Sequence, residues 1–469
     1  MISAHLENIL SKSVVIHGDR VSILNESSVR NEVIDKLIYA AVFGPQADRP
    51  AARWLIWEIS QELGIRPSSI HPFYSARGRG IISADFTVPA MNFRGLTYDT
   101  SRALFKTAIK TETQAFICEL ARGEMSYTDQ TPAEYTVSIL AGAIREGFVG
   151  PVFIQGDHFQ TKCSHQPGVP DQGEIESLVD LIKDALEAGF YNIDIDASTL
   201  VDLKQEKVSD QQAPNVHYTA ELLKVIRSLE PAGITVSIGG EIGHIGGKNS
   251  TTNDFTTFMS GLMAKIGDQP SISKISVATG TSHGGVVNPD GSLADVAVDF
   301  NVLKEITAVA LEKYKMAGAV QHGASTLPEE MLHQFPPTGA IEIHLATGFQ
   351  NLYMDHPAFP KEFLKEMYTW LDETQINEKE PGWTDEQFHY KLRKKAWGHF
   401  KQAAWELPES TRQSLRDALE DKLTLIFNQL NICHSQELIS KHTPVHDIHK
   451  EIVDFALTAD QKEVVGLSD

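Results

Sequence analysis

A chain of 469 residues that is 42% hydrophobic and 22% charged has the composition of a globular protein with material for a large core. Its 41 basic against 62 acidic side chains give a net charge of −21, which repels nucleic-acid backbones and anionic lipid and argues against both as partners. Three cysteines, Cys118, Cys163 and Cys433, none in a CxxC pair, exclude a disulfide framework.

The first segment, MISAHLENILSKS, lacks the pattern of a secretory leader, and no apolar run reaches the ~18 residues of a membrane span. A cytoplasmic protein is expected. An anionic metabolite stays within reach, because a local metal ion or helix N-terminus overrides the global field.

Residues 1–83 read as a mostly helical preface, a cover or interface without chemistry. Ser27-Ser28 precede VRNEVIDKLIYAAVF, and Asp48-Arg49-Pro50 set a cap and an early proline ahead of AARWLIWEISQELGI. From residue 84 short β-rich runs alternate with helical patterns. Eight runs are predicted: 84–92, 113–120, 150–158, 190–198, 234–242, 274–281, 317–325 and 339–348. Strand–helix alternation over 265 positions predicts buried parallel strands in an α/β fold, a (β/α)8 TIM barrel spanning residues 84–355. The competing open, doubly wound sheet would be favoured by GxGxxG after the first strand, and none is there. Residues 356–469 return to helix, with Pro408 heading ESTRQSLRDALEDKLTLIFNQLN. Trp397 and Trp405 share a face there, which points to packing.

In such a barrel the C-terminal strand ends converge on one face. The third strand ends in Asp157-His158, the fourth in Asp196-Ala197-Ser198 and the fifth in Glu241. The sixth ends in Thr281-Ser282-His283-Gly284-Gly285, the seventh in His322-Gly323-Ala324-Ser325 and the eighth in Thr347-Gly348. A single strand-end histidine is ordinarily a hydrogen-bonded structural residue. Three of them on three strands, with carboxylates between, form a metal-site constellation in which a fourth position stays open for substrate. His165, His217, His244, His333 and His344 have no comparable neighbours.

These motifs resemble the class II, metal-dependent ketose-bisphosphate aldolases over about residues 84–355. GPVFIQGDH, NIDIDAS, GGEIGHIGG, VATGTSHGG and VQHGAS are each similar to a segment of that family. The resemblance implies that His158, His283 and His322 hold a catalytic zinc, with another divalent metal or an added monovalent cation as further cofactor candidates. It makes Asp157 the general acid/base and Glu241 and Asp196 secondary or alternative metal carboxylates. It also implies a substrate and phosphate set of Asn92, Gly284, Gly285, Ala324, Ser325 and Thr347. A ketose phosphate or bisphosphate is the implied substrate and a homodimer or higher homo-oligomer the implied assembly.

Zinc on the ketone and neighbouring hydroxyl oxygens would stabilise the enediolate left by C–C cleavage. Asp157 would take the proton from the hydroxyl one carbon beyond the scissile bond. A Schiff-base mechanism would need a barrel lysine, and Lys274 opens the sixth strand at the end away from the motifs. Departures from the family fall at the phosphate site: Val287 stands where a lysine is common, and His344 and Ala346 replace an asparagine and an acid of the eighth strand. Lys248-Asn249-Ser250-Thr251 replace an acidic cluster, which leaves Lys162 and Lys248 as substitute cations. Glu119 is expected to pair with Arg122, and Cys163 to be an inert loop thiol. A non-catalytic aldolase-like subunit or binding protein on the same barrel is the alternative. A metal-dependent hydrolase would carry HxH on the first strand, where TVPAMN has none.

Overall fold

In the computed structural model, which describes residues 2–243, 248–280, 287–290, 298–324 and 327–455, every predicted run forms a strand. Three short strands come first: Val14–His17 (β1), Arg20–Ile23 (β2) and Ile65–Ser68 (β3). The eight runs become Val88–Asn92 (β4), Ile117–Ala121 (β5), Gly150–Gln160 (β6), Asn192–Asp196 (β7), Ser237–Glu241 (β8), Lys274–Ser276 (β9), Ala319–Gln321 (β10) and Glu342–Leu345 (β11). Each pairs in parallel with the next, and β11 closes on β4, so the sheet is an eight-stranded (β/α)8 barrel.

Two crossover helices end where a chain reversal requires a left-handed residue. Gly147 (φ 85°) stops Pro132–Glu146, and Gly189 (φ 96°) stops Glu174–Ala188. Apolar side chains of these helices and of the outward strand faces make one continuous core around the barrel.

The preface is not wholly helical. β1 and β2 form an antiparallel hairpin, and β3 adds to the barrel sheet beside the first residues of β6. The chain after β3 lies under the barrel. Ile70 N donates to Asn192 Oδ1 (2.9 Å), Ser237 N to Ser69 Oγ (3.1 Å), and His71 Nδ1 meets Ser273 Oγ at 2.8 Å. These partners sit at or just before the starts of β7, β8 and β9, so the segment is the floor of the barrel. Non-local pairing of this kind has no signature in local sequence.

The C-terminal helices include Lys361–Thr374 and Glu409–Gln429, the latter capped by Pro408 as expected. Between them the chain is broken into short helical pieces, Asp385–Leu392, Arg393–Lys395, Ala396–His399 and Lys401–Trp405. The break seats Trp397 against the rim of the barrel, its ring where a Cβ on Gly95 would stand, while Trp405 packs on Phe43 and Tyr98. Both tryptophans are packing residues. The same region braces a mouth loop: Gln387 Nε2 donates to Val287 O (2.8 Å) and Thr384 Oγ1 to Pro289 O (2.7 Å).

Candidate metal and acid–base site

β6 carries the first two functional side chains, and it does so through an irregularity. Strict alternation would send Asp157 and His158 to opposite faces of the sheet. Between Gly156 and Phe159 the register against β7 slips by one residue, and His158 takes φ 43°. A bulge of this kind re-aims a side chain and costs strain that the surrounding packing must hold. Asp157, His158 and Gln160 all face inward as a result, while Phe159 is fully buried in the outer core. Its ring occupies the space a Cβ on Gly156 would need. Gly156→Ala is therefore expected to destabilise the protein by about 1–3 kcal/mol and to weaken any divalent-cation binding at His158, because overpacking here displaces the bulge. Denaturant unfolding and zinc titration of the variant check both effects.

Around His158 the strand ends deliver carboxylates from two further strands. Nδ1 lies 3.4 Å from Asp196 Oδ2 on β7 and 3.3 Å from Glu241 Oε2 on β8. Nε2 lies 3.8 Å from Asp157 Oδ1. His322, directly after β10, sets its ring tilted against that of His158 with centroids 4.2 Å apart, and its Nε2 meets Ser276 Oγ at 2.8 Å. Asp196 is fixed by Ser198 Oγ (2.7 Å) and Gln160 Nε2 (2.5 Å).

Two groups of potential donor atoms result: Asp157, His158 and His322, and His158, Asp196 and Glu241. Two imidazoles among three carboxylates suit a divalent cation, because the acidic surplus is buried and imidazole and carboxylate are both good zinc donors. Burial opposes charge on His158, but Asp157 and Glu241 outweigh it and hold the ring well above its usual range, which is the same demand for positive charge. His283, Gly284, Gly285 and Ser325, together with His244, lie outside the described residues.

The other predicted positions are brought to the same mouth. Asn92, at the end of β4, donates from Nδ2 to Asp157 Oδ2 (3.0 Å) and Glu124 Oε2 (2.8 Å). Thr347 opens the helix Thr347–Met354 and accepts from Arg94 Nη1 at 3.2 Å. Arg94, two residues past β4 and paired with Glu124 Oε1 (2.6 Å), was not anticipated as a mouth cation. Ala324 lines an apolar cavity with Leu327, Leu345 and Phe349. Lys248 is exposed and Lys162 half-buried. Cys163 is a half-buried loop residue bridged to Pro170.

Below the mouth the barrel interior is polar, which sequence reasoning missed. Lys274 is fully enclosed and donates to Gln155 Oε1 (2.8 Å), Asp194 Oδ2 (3.0 Å) and Glu342 Oε1. Glu342 also accepts from Tyr74 Oη of the floor segment (2.5 Å). His344 stands above, with Nε2 2.8 Å from Glu342 Oε1 and Nδ1 3.1 Å from Asp157 Oδ1. The expected Glu119–Arg122 pair is absent. Alternation turns Glu119 into the barrel, where it accepts from Gln155 Nε2 (2.8 Å), while Arg122 begins the helix Arg122–Tyr127 and reaches outward to Glu174 (2.6 Å).

Burial and neighbouring charges act against each other throughout this interior. Burial, helped by the charge of Asp157, pushes Glu119 well above the usual carboxylate range, and burial also raises Asp194 despite Lys274. Burial works against charge on Asp157 as well, but His158 and His344 outweigh it and hold its carboxyl well below the usual range. Burial likewise opposes charge on Lys274, yet Asp194 and Glu342 raise it, so the amine stays an ammonium with its donors engaged. Such an amine is no Schiff-base nucleophile. It also makes the deeper acidic groups around Glu119, Glu342 and His344 a poor place for a second divalent ion, which would sit against an existing cation.

A search of curated proteins finds no match for the chain. Among solved structures it is similar to the YdjI aldolase from Escherichia coli K12 (14% identity, TM-score 0.46, covering 77% of this chain and 97% of that one). It is also similar to the fructose-bisphosphate aldolase from Campylobacter jejuni (18%, TM-score 0.47, 78% and 94%). A Sinorhizobium meliloti protein described as a probable tagatose 6 phosphate kinase shares the fold at TM-score 0.50 (15% identity, 80% and 97%). The family model for class-II fructose-bisphosphate aldolase matches residues 81–402, through the barrel and into the helices beyond it. With the match covering most of its length, the chain belongs to the class-II fructose-bisphosphate aldolase family.

Proposed function

We propose that the protein is a zinc-dependent aldolase that reversibly cleaves the bond between the third and fourth carbons of a ketose phosphate or bisphosphate, with Asp157 as general acid/base. The observation that carries this reading is the convergence of Asp157, His158, His322, Asp196 and Glu241 at the C-terminal mouth of the barrel. His158 and His322, with His283 from the sixth barrel strand's loop, would hold the metal, and Glu241 and Asp196 would serve as its neighbouring or alternative carboxylates. When bound, the metal supplies Lewis acidity toward the ketone oxygen and the negative charge that gathers there.

Everything else falls to the chain. Asp157, held ionised, takes the proton from the hydroxyl on the fourth carbon. That oxygen becomes an aldehyde carbonyl as the carbon–carbon bond breaks, and its electron pair passes to the three-carbon fragment. In the reverse direction Asp157 returns the proton. Backbone amides of Gly284, Gly285, Ala324 and Ser325 and the helix N-terminus at Thr347 would grip a phosphate, with Arg94 beside Thr347 adding positive charge. Asn92 would contact the substrate from the first barrel strand.

The same reading gives a cytoplasmic homo-oligomer, a dimer or larger, that acts on a small sugar phosphate and on neither nucleic acid nor membrane. No helix among the described residues is long and apolar enough to cross a membrane.

The test is a panel of ketose 1-phosphates and 1,6-bisphosphates assayed for released aldehyde with and without a chelator. Cleavage of at least one member that chelation abolishes and zinc restores is the expected result. Metal binding without cleavage of any member would favour the non-catalytic alternative. In parallel, His158→Ala, His283→Ala and His322→Ala are each expected to lose stoichiometric zinc by elemental analysis, and retention in all three would remove the site.

A further inference from the structure

The acid/base carboxylate is clamped from both sides. Asn92 Nδ2 donates to Asp157 Oδ2 (3.0 Å), and Asn92 is itself held by Glu124. On the other oxygen, His344 Nδ1 lies 3.1 Å from Asp157 Oδ1. Behind that ring Nε2 lies 2.8 Å from Glu342 Oε1, and Glu342 is in turn anchored by Lys274, by Gln155 (3.1 Å) and by Tyr74 from the floor (2.5 Å). Glu342 and Lys274 are fully enclosed and His344 nearly so, so no solvent competes for these bonds. The ring also lies tilted against that of His322, centroids 4.1 Å apart, which restricts its rotation.

We infer that His344 is a positioning residue for the proposed cleavage, fixing the plane of the Asp157 carboxylate through Nδ1 while Glu342 and Lys274 fix His344 from below. This inference rests on the aldolase reading. Asp157 sits beside a strained bulge, and its carboxylate would otherwise turn about its last torsion. A base that must meet one hydroxyl proton loses rate steeply when its lone pair swings away, by about 10²-fold for an ångström-scale misplacement. The hydrogen bonds of His344 run to Asp157 and Glu342, so its loss should fall on turnover and not on substrate affinity.

The experiment uses the full-length, zinc-loaded protein and the ketose-phosphate substrate that the wild type cleaves. His344→Leu, which keeps bulk and removes both ring nitrogens, is expected to lower kcat by about 10²-fold while KM changes by less than about 3-fold and zinc stays stoichiometric. His344→Asn, which keeps an amide donor close to the position of Nδ1, is expected to recover most of that loss. Glu342→Gln tests the second link without touching the clamp: it should lower kcat less than His344→Leu, and the double variant should fall no further than His344→Leu alone. A kcat unchanged in His344→Leu, or lost equally in His344→Asn, overturns the inference while leaving the aldolase reading intact. A rise in KM without loss of kcat also overturns it, since the role would then be binding. If His344→Leu does not fold by circular dichroism, the Asn and Gln variants decide, and wild-type turnover in both is the overturning result. A wild type that cleaves nothing in the panel removes both the reading and this inference.

Discussion

Replacing Asp157 with alanine or asparagine is expected to lower carbon–carbon cleavage by about 10²–10⁴-fold while zinc remains stoichiometric. The size follows from the proposed role: a positioned base that is lost leaves the hydroxyl proton to water, while the proposed metal and phosphate contacts to substrate would remain. The distinction matters because Asp157 also stands within reach of His158 and His322 as a potential donor to a metal. If Asp157 were chiefly a ligand, zinc would fall together with activity. Asparagine is the cleaner of the two variants, since it keeps the shape between Asn92 and His344, whereas alanine leaves both of their donors facing a gap. Steady-state kinetics with elemental analysis separates the outcomes, and undiminished turnover in either variant would take Asp157 out of the mechanism.

How far this site could be read in advance depends on what kind of signal each residue left. The barrel strands were readable because each is a short apolar run bounded by a turn and followed by an amphipathic segment, which is local information. His158 and His322 stood out because neighbouring residues formed motifs at strand ends. His344 did not, since HLATG surrounds it with apolar and small residues.

A signal was nevertheless present. Glu342 and His344, Asp194 and Asp196, Gln155 and Asp157, and Lys274 and Ser276 are each two residues apart on a barrel strand, hence on one face. Paired polar positions with period two on strands meant to be buried on both sides announce a polar barrel interior. The bulge at His158 and the floor formed after β3 left no such trace. A left-handed histidine depends on the packing of Phe159 against Gly156, and the floor on contacts with strands more than a hundred residues away. Arg94 was readable only as a strand-end arginine, and its contact with Thr347 joins the two strands that close the barrel.

Lys274→Met is expected to produce the largest loss of stability, about 3–5 kcal/mol near neutral pH, because it removes one partner of an enclosed ion pair and leaves the other charged. Both Asp194 and Glu342 raise the ammonium's pKa, and Glu342 is the one whose own pKa is depressed. Burial acts against its charge, but Lys274 and His344 outweigh burial and hold it at about 2, below the ordinary 4.5, whereas Asp194 is raised. The sign of the pH dependence follows. A carboxyl with a depressed folded-state pKa contributes stability that is fully present above about pH 4.5 and disappears as the pH falls toward about 2. Without Lys274 the ammonium's share of that contribution is gone at every pH, and only His344 still favours the carboxylate. Urea unfolding of wild type and variant should therefore show a gap that is widest above about pH 4.5 and closes as the solution is acidified toward about 2. Adding Glu342→Gln to Lys274→Met should recover part of the loss at neutral pH, since no unpaired charge then remains at that position. A gap of constant size across this range would mean that Lys274 fills space in the barrel and that its charge is incidental. That outcome would also loosen the link from Lys274 through Glu342 to His344, because a ring supported only by packing has no fixed direction in which to hold Asp157.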